Sequence, residues 1–321
     1  MNTLNKTLLG ILALQVVIFV AVTFSKEEPL KVRTQVLLPG LEVSAVDQIT
    51  ISGPAGAASE SVTLARAEEG WQVASADGYP AKGEDVDELL ENLQKLKSRT
   101  QVLDSSRYHD KLEVTDEAHQ RKVTLRSKDA ETTFFLGTAP SFKSTHFRLA
   151  DADEVYLAPL ASSDFGNRAW SWVERLYVDV PRKDIWSMSL VNESGRVQLT
   201  RDPETDAWSS PSSAGPLAVT TVNTLLDKAR SLRLEEPVGR TLEPSFGFDA
   251  PLATVELTVG TSTSAGLPPP QTTTKTLLVG AKVDGKARHY VKSSDSAYVV
   301  EVQETAVKPL LEKTAEDLTK D

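Results

Sequence analysis

The sequence predicts an α+β protein: an N-terminal transmembrane helix followed by two tandem repeats, each a β-rich antiparallel or mixed sheet with a central amphipathic helix. Three observations carry this expectation. An uncharged apolar run fills Thr7 to Phe24. Short stretches farther on alternate apolar and polar side chains, the period of a half-buried strand. One helical pattern, Val86, Leu89, Leu90, Leu93 and Leu96, returns as Val222, Leu225, Leu226, Ala229 and Leu232 at a constant offset of 136 residues.

The first segment, 1–25, reads as a membrane anchor. Its apolar side chains are Leu8, Leu9, Ile11, Leu12, Leu14, Val16, Val17, Ile18, Phe19, Val20, Val22 and Phe24, and Gln15 is the one strongly polar residue. As a helix the run is roughly 27 Å long, near the thickness of a bilayer core. A cleavable leader needs a small-x-small site; Ala21-x-Thr23 is the one weak match, so an uncleaved signal anchor is expected. Lys6 stands before the run, and Lys26, Lys31 and Arg33 mix with Glu27 and Glu28 after it, so flanking charge hardly sets orientation. The six residues before the helix are too few for a domain. The expected topology is single-pass in a bacterial cytoplasmic (inner) membrane, with the bulk of the chain on the extracytoplasmic, periplasmic side.

Residues 26–44, with Pro29 and Pro39, are expected to form a stalk. A first repeat follows over 45–160. Val46–Ser52, Ser61–Ala65 and the run opening at Gly70-Trp71 read as an antiparallel meander. The helix spans Gly83 to Leu96, with Glu84, Asp85, Asp87 and Glu88 crowded at the positive end of its dipole. Strands are expected again at 122–126, 132–136, 145–149 and 154–158. A connecting helix or linker, 161–182, leads to a second repeat over 183–303, and a C-terminal helix and tail fill 304–321.

In the second repeat Ile185–Val191 matches Val46–Ser52, Arg196–Thr200 matches Ser61–Ala65, and Ala207-Trp208 matches Gly70-Trp71. Thr276 to Gly280 aligns with Thr133 to Gly137, His289-Tyr290 with His146-Phe147, and Ala297-Tyr298-Val299 with Val155-Tyr156-Leu157. The stretch 260–275, rich in Pro, Ser and Thr, replaces the short turn 127–131 and is expected to be an exposed loop.

Composition narrows the chemistry. A net charge of -10 and a pI near 5.1 give no nucleic-acid footprint. The absence of cysteine excludes disulfides, thiolate metal sites, a thiol nucleophile and a lipid-modified cysteine. No nucleophile elbow and no phosphate-cradling glycine loop is present. His146 and His289 fall at equivalent positions and could meet as metal ligands, but alternation puts His146 and Arg148 on one strand face, where a solvated face explains them. His109 and His119 lack a ligand spacing. Asp151-Ala152-Asp153-Glu154 lacks the glycine and distal glutamate of a calcium loop and reads as a polar turn. Trp71, Trp208, Trp170, Trp172 and Trp186 read as packing residues before a sugar platform. No catalytic, cofactor-binding or metal residue is therefore assigned, and no enzyme activity is expected.

The pattern Val86-x-x-Leu89-Leu90-x-x-Leu93-x-x-Leu96, the aromatic strand ending in Phe134-Phe135-Leu136-Gly137, and Val155-Tyr156-Leu157 resemble the bacterial domain-of-unknown-function family numbered 4340. The resemblance spans residues 40 to 303. It implies an accessory subunit beside an ABC-type permease and a gliding-motility-type membrane protein, and it implies no catalytic residues. The functional expectation is a non-catalytic, membrane-anchored accessory or scaffold subunit of such a complex. Its expected partners are the lipid bilayer and an ABC-type permease or auxiliary membrane subunit, the anchor residues Gly10, Ala13 and Gln15 permitting a contact within the bilayer. Two alternatives stay open: capture of a lipid, glycan or peptide between the repeats, and an envelope hydrolase whose acids converge on His146 or His289.

Overall fold

The computed structural model describes residue 15 and residues 34–56, 59–213, 215–261, 268–269 and 271–319. All the side chains assigned to the membrane anchor lie outside the described residues. Among the described residues no helix is long and apolar enough to cross a membrane.

The first half contains β1 (Gln35–Val36), β2 (Val46–Ser52), β3 (Ser61–Ala67), β4 (Gly70–Val73), β5 (Tyr79–Pro80), a helix Gly83–Gln94, β6 (Lys97–Ser98), β7 (Gln101–Leu103), a short helix His109–Leu112, β8 (Arg121–Ser127), β9 (Glu131–Leu136), β10 (Thr145–Leu149) and β11 (Val155–Ala158). The second half contains β12 (Leu176–Asp179), β13 (Ile185–Asn192), β14 (Gly195–Arg201), β15 (Trp208–Ser209), a helix Val219–Arg230, β16 (Ser231–Arg233), β17 (Glu236–Gly239), β18 (Ala253–Val259), β19 (Thr273–Lys282), β20 (Arg288–Ser293), β21 (Val299–Gln303) and a helix Glu304–Glu312.

The first sheet runs β5-β4-β3-β2-β8-β9-β10-β11-β7 and the second β15-β14-β13-β18-β19-β20-β21-β17. Each is accompanied by a two-stranded ribbon, β1-β6 and β12-β16. Pairing is antiparallel, as tight hairpins between consecutive strands allow. The sheets match strand for strand, β5 excepted. Even their irregularities coincide, with register shifts between Val46 and Gln48 and between Ile185 and Ser187. The mixed, β-rich α+β class expected from the alternation is the one observed.

In each half the long helix carries the chain from one edge of the sheet to the other, so its apolar stripe lies on one sheet face. Val86, Leu90, Leu225 and Leu226 are at most 3% exposed and pack with Ile49, Phe134 and Leu190 in one continuous core that runs through both halves. The opposite face is covered by the chain returning from the edge to the middle. In the first half residues 104–120 cross it, sealing Phe135, Val155 and Val114 into a small second core with Leu103 and Leu112. Phe134 and Phe135 therefore serve different layers, as side chains on a strand must.

Glycine makes the second crossing possible. A Cβ on Gly137 would overlap the Leu112 carbonyl, and one on Gly280 would overlap the Phe246 carbonyl. The Thr138 N–H donates to that same Leu112 oxygen at 2.9 Å. The Leu-Gly ending of the aromatic strand is thus a docking point for the covering segment.

Several expectations are corrected. Residues 26–44 are not all stalk: β1 pairs with β6, and Leu37 and Leu38 are 2% and 3% exposed in the core. Residues 161–182 hold no α-helix. They form short 3-10 turns at Ser162–Asp164 and Ala169–Ser171 and then β12, because the buried Trp172 donates its indole N–H to the Gly166 carbonyl at 2.7 Å and closes a loop. The C-terminal helix stops at Glu312, and a further 3-10 turn buries Leu318. Its carbonyl accepts from the Ala218 N–H at the start of the second long helix, as the Trp172 carbonyl accepts from Lys82 at the first. The loop expected at 260–275 is shorter, since β19 begins at Thr273.

Replacing either docking glycine should loosen one layer. Gly137→Ala and Gly280→Ala are each expected to destabilise by up to about 3 kcal/mol through overpacking against backbone. Denaturant unfolding checks this; a Gly137→Ala protein as stable as the wild type would show that the crossing segment yields freely.

Candidate functional site

The four histidines do not converge. His109 Nε2 donates to the Asp153 carbonyl at 2.8 Å, His119 Nδ1 to Thr115 O at 2.9 Å, and His289 Nδ1 to Gly280 O at 3.1 Å, while His146 Nδ1 shares a 2.9 Å hydrogen bond with Thr138 Oγ1. Among the described residues no three His, Asp or Glu side chains gather in a metal-binding group.

The equivalence of His146 and His289 is off by one residue. Leu136 pairs with Phe147, and its counterpart Val279 pairs with Val291, so Phe147 matches Val291 and Thr145 matches His289. The register shift between Val279 and Lys282 absorbs the extra residue. A one-residue slip turns a side chain to the other face. His289 is accordingly buried at 4% exposure, and His146 is half-buried. Likewise Tyr156, opposite Phe147, matches Val300, opposite Val291. Tyr298 therefore precedes β21 and is free for another task.

Arg148 is not on a solvated face. It is 8% exposed beneath residues 104–120, its guanidinium 5.0 Å from the Phe135 ring centroid. Nε donates to Val114 O at 2.7 Å, and Nη1 donates to the carbonyls of Leu149, Ala150 and Ala152 at 3.1, 3.1 and 2.8 Å. Burial lowers its pKa from the usual arginine value, and Asp153, Asp116 and Asp151 oppose that effect. The acidic turn after β10 is thus wound around an arginine, not a calcium ion. Strand alternation hides this, because an arginine at an outward position reads as solvated until the crossing segment is placed over it.

The tryptophans divide between core and flank. Trp71 and Trp172 are 4% exposed; Trp71 donates to Asp87 Oδ1 at 2.9 Å and has the Arg66 guanidinium 4.6 Å from its ring. Trp186 donates to Gly260 O at 2.8 Å, with Arg201 4.9 Å from its ring, and Trp170 has Arg175 at 5.0 Å. None of these makes a shared aromatic platform.

Two arrangements were not legible in the sequence. The first is the seam between the sheets. Tyr298 packs its ring, tilted by 55°, 4.7 Å from that of Tyr79 in the first half and donates its hydroxyl to Gly78 O at 2.6 Å. Arg240 lies 4.7 Å from the Tyr298 ring, donates to the Tyr298 hydroxyl, and offers its backbone N–H to Asp77 Oδ2 at 3.0 Å. Tyr177 donates to Tyr298 O at 2.7 Å and accepts from the Ser293 N–H at 2.9 Å. Burial first, then Tyr177, Tyr298 and Glu174, pushes the Tyr79 hydroxyl up to about 12. The space between the halves at this point is filled by protein.

The second is a charge cluster on β20 and β21. Glu301, 7% exposed, accepts from Arg288 at 2.8 Å and from Lys286 at 3.0 Å. Arg175 binds Glu235 at 2.9 Å beside it. Glu236 is half-buried next to this cluster, and its pKa is raised, chiefly by burial and then by Glu301, against the pull of Arg288 and Lys286. A group whose folded-state pKa is raised supports the fold fully below its unfolded value, and that support is lost as pH rises through the folded value. Glu236→Gln keeps the acceptor and removes the charge, so it should raise the melting temperature at pH 7 and above. The gain should vanish as pH falls below the ordinary glutamate range. Paired thermal melts across pH check this; a gain independent of pH would locate the effect in packing.

No curated protein and no solved structure matches this chain. The family described as Domain of unknown function (DUF4340) does match, over residues 71–236, a stretch that begins at Trp71, takes in both long helices and ends at the first residue of β17. With just over half of its 321 residues so matched, the chain belongs to the DUF4340 family.

Proposed function

We propose that this protein is a non-catalytic, membrane-anchored accessory or scaffold subunit, displayed on the extracytoplasmic side of a bacterial inner membrane and serving an ABC-type transport complex of the gliding-motility kind. The observation that carries this reading is the use made of its conspicuous polar side chains. The histidines and the buried Arg148 and Glu301 are each engaged in contacts within the fold, Arg148 reaching the covering segment, and the seam residues Tyr298 and Arg240 join the halves. A chain whose chemistry is spent on rigidity offers surface rather than reactivity.

The two halves are, in this reading, tandem copies of one module. The shared strand order, the coincident register shifts and the paired glycines Gly137 and Gly280 support it. Locked at the seam, two similar modules present one extended docking face whose geometry does not vary, and a fixed face is what a subunit bridging membrane partners requires.

Extraction in mild detergent through a tag at Asp321, followed by mass spectrometry, tests the partner. Stoichiometric recovery of ABC permease subunits is expected; recovery of the protein alone under conditions that preserve other membrane complexes sinks the reading. The absence of cysteine makes the topology testable with one substitution. Lys128→Cys, in an exposed hairpin turn, should react with a membrane-impermeant maleimide in spheroplasts before lysis. Labelling only after lysis would place the sheets in the cytoplasm.

A further inference from the structure

The two halves differ at one place where the first is filled and the second is open. Trp71 on β4 pairs with Arg66, and Trp208 on β15 pairs with Arg201, so the two indoles hold matching positions. In the first half the chain after Trp71 returns as β5 and plugs the sheet edge with Val73, Ala76 and Tyr79, at 0%, 1% and 8% exposure. In the second half the residues at the same distance from Trp208 are Ser210, Ser213 and Pro216. These side chains are not apolar like Val73, Ala76 and Tyr79, and among the described residues no strand matching β5 forms.

What remains is a pocket of about 670 Å³, floored by Trp208, Leu217, Val219 and Val222. Val219 is 69% exposed although it opens an otherwise well-packed helix. An open apolar surface of this kind on a rigid edge gains free energy when a ligand displaces its water.

The polar rim specifies the sign of the ligand. Arg182, Lys183 and Arg201 line the pocket against the single carboxylate of Asp206, which already accepts from Arg201 at 2.6 Å. Arg182 is shared with Asn223 and lies 3.8 Å from Asp227. Lys183 makes no ion pair among the described residues, and there the Trp208 indole N–H also lacks a hydrogen-bond partner, whereas Trp71 donates to Asp87. Asn223 stands where Asp87 stands in the first half, so the acid that satisfies the first indole is missing from the second. An unpaired ammonium and an unpaired indole N–H over an apolar floor ask for an acceptor carrying negative charge at one end and hydrocarbon at the other.

The geometry points to a binding site in the second half for an amphiphilic organic monoanion, with its aryl or alkyl body on Trp208, Val219 and Val222 and its carboxylate or phosphate head against Lys183 and the Trp208 N–H. The site stands apart from the seam and does not depend on the identity of any membrane partner.

Calorimetric titration of the full chain in phosphatidylcholine nanodiscs, with empty nanodiscs subtracted, tests it with 4-phenylbutyrate as the probe. One saturable site is expected. The neutral amide of the probe should bind about tenfold more weakly, as should the acid to Lys183→Gln, the loss expected for a hydrogen bond to a charged group. Val219→Asp, at an exposed position, should abolish binding while leaving the melting temperature unchanged. Adding phosphatidylglycerol to the bilayer identifies the source: competition with the probe upholds the site and makes a lipid head group its occupant, and an unchanged affinity upholds it for a soluble anion. Absence of saturable heat, equal affinity for acid and amide, or full binding by Val219→Asp overturns the inference.

Discussion

A sheet whose middle strands are apolar on both faces has to be covered twice, and that requirement organises each half of this molecule. Phe134 and Phe135 are adjacent in sequence and both at most 1% exposed, so neither face of β9 can be left to water. Burying one such ring contributes about 1.5–3 kcal/mol. The long helix supplies the first cover and the returning segment the second. The helix brings its own backbone hydrogen bonds, whereas the irregular segment must find partners, and it finds them in Thr138 and in the guanidinium of Arg148. The close approach at Gly137 and Gly280 follows from the same need: the backbone must come within bonding range of a strand edge, and a Cβ there would hold it off.

The halves solve one problem with different side chains, and the differences show which contacts are structural. Arg148 of β10 organises the first covering turn; in the second half the aromatic pair Phe246 and Tyr290, 4.4 Å apart, packs on the same face. Opposite His146 on the first sheet stands Leu157, and opposite Tyr290 on the second stands Glu301 with its two cations. Such a buried cluster adds little net stability over an apolar equivalent, because desolvating the charges offsets their attraction. It does fix which groups face one another, and it sets Glu236, raised chiefly by its own burial, beside the Glu301 carboxylate.

The seam converts two covered sheets into one body. Tyr298 is its centre, accepting from Arg240, packing against the Tyr79 ring and reaching the Gly78 carbonyl. The same residues fill the space between the halves at this point. One opening lies at the outer edge of the second sheet, where serine and proline stand in place of the plug of the first.

The sequence by itself determined the β-rich α+β class, the two long helices and many of the longer strands, since a period of two or of 3.6 is written in neighbouring residues and needs no distant partner. The alternating β18 (Ala253–Val259) is not among the strands expected from it. Val46–Ser52 and Thr145–Leu149 have the observed bounds for that reason. Ribbons of two residues such as β1 and β6 carry too few side chains to show a period, and they form because Leu37 and Leu38 are drawn into the core. Register was decided only in the assembled sheet. One irregular residue between Val279 and Lys282 moved His289 to the face opposite that of His146 and released Tyr298 to the seam. The burial of Arg148 and the pocket beside Trp208 belong to the tertiary structure as well, because each depends on which distant segment covers a face, or fails to.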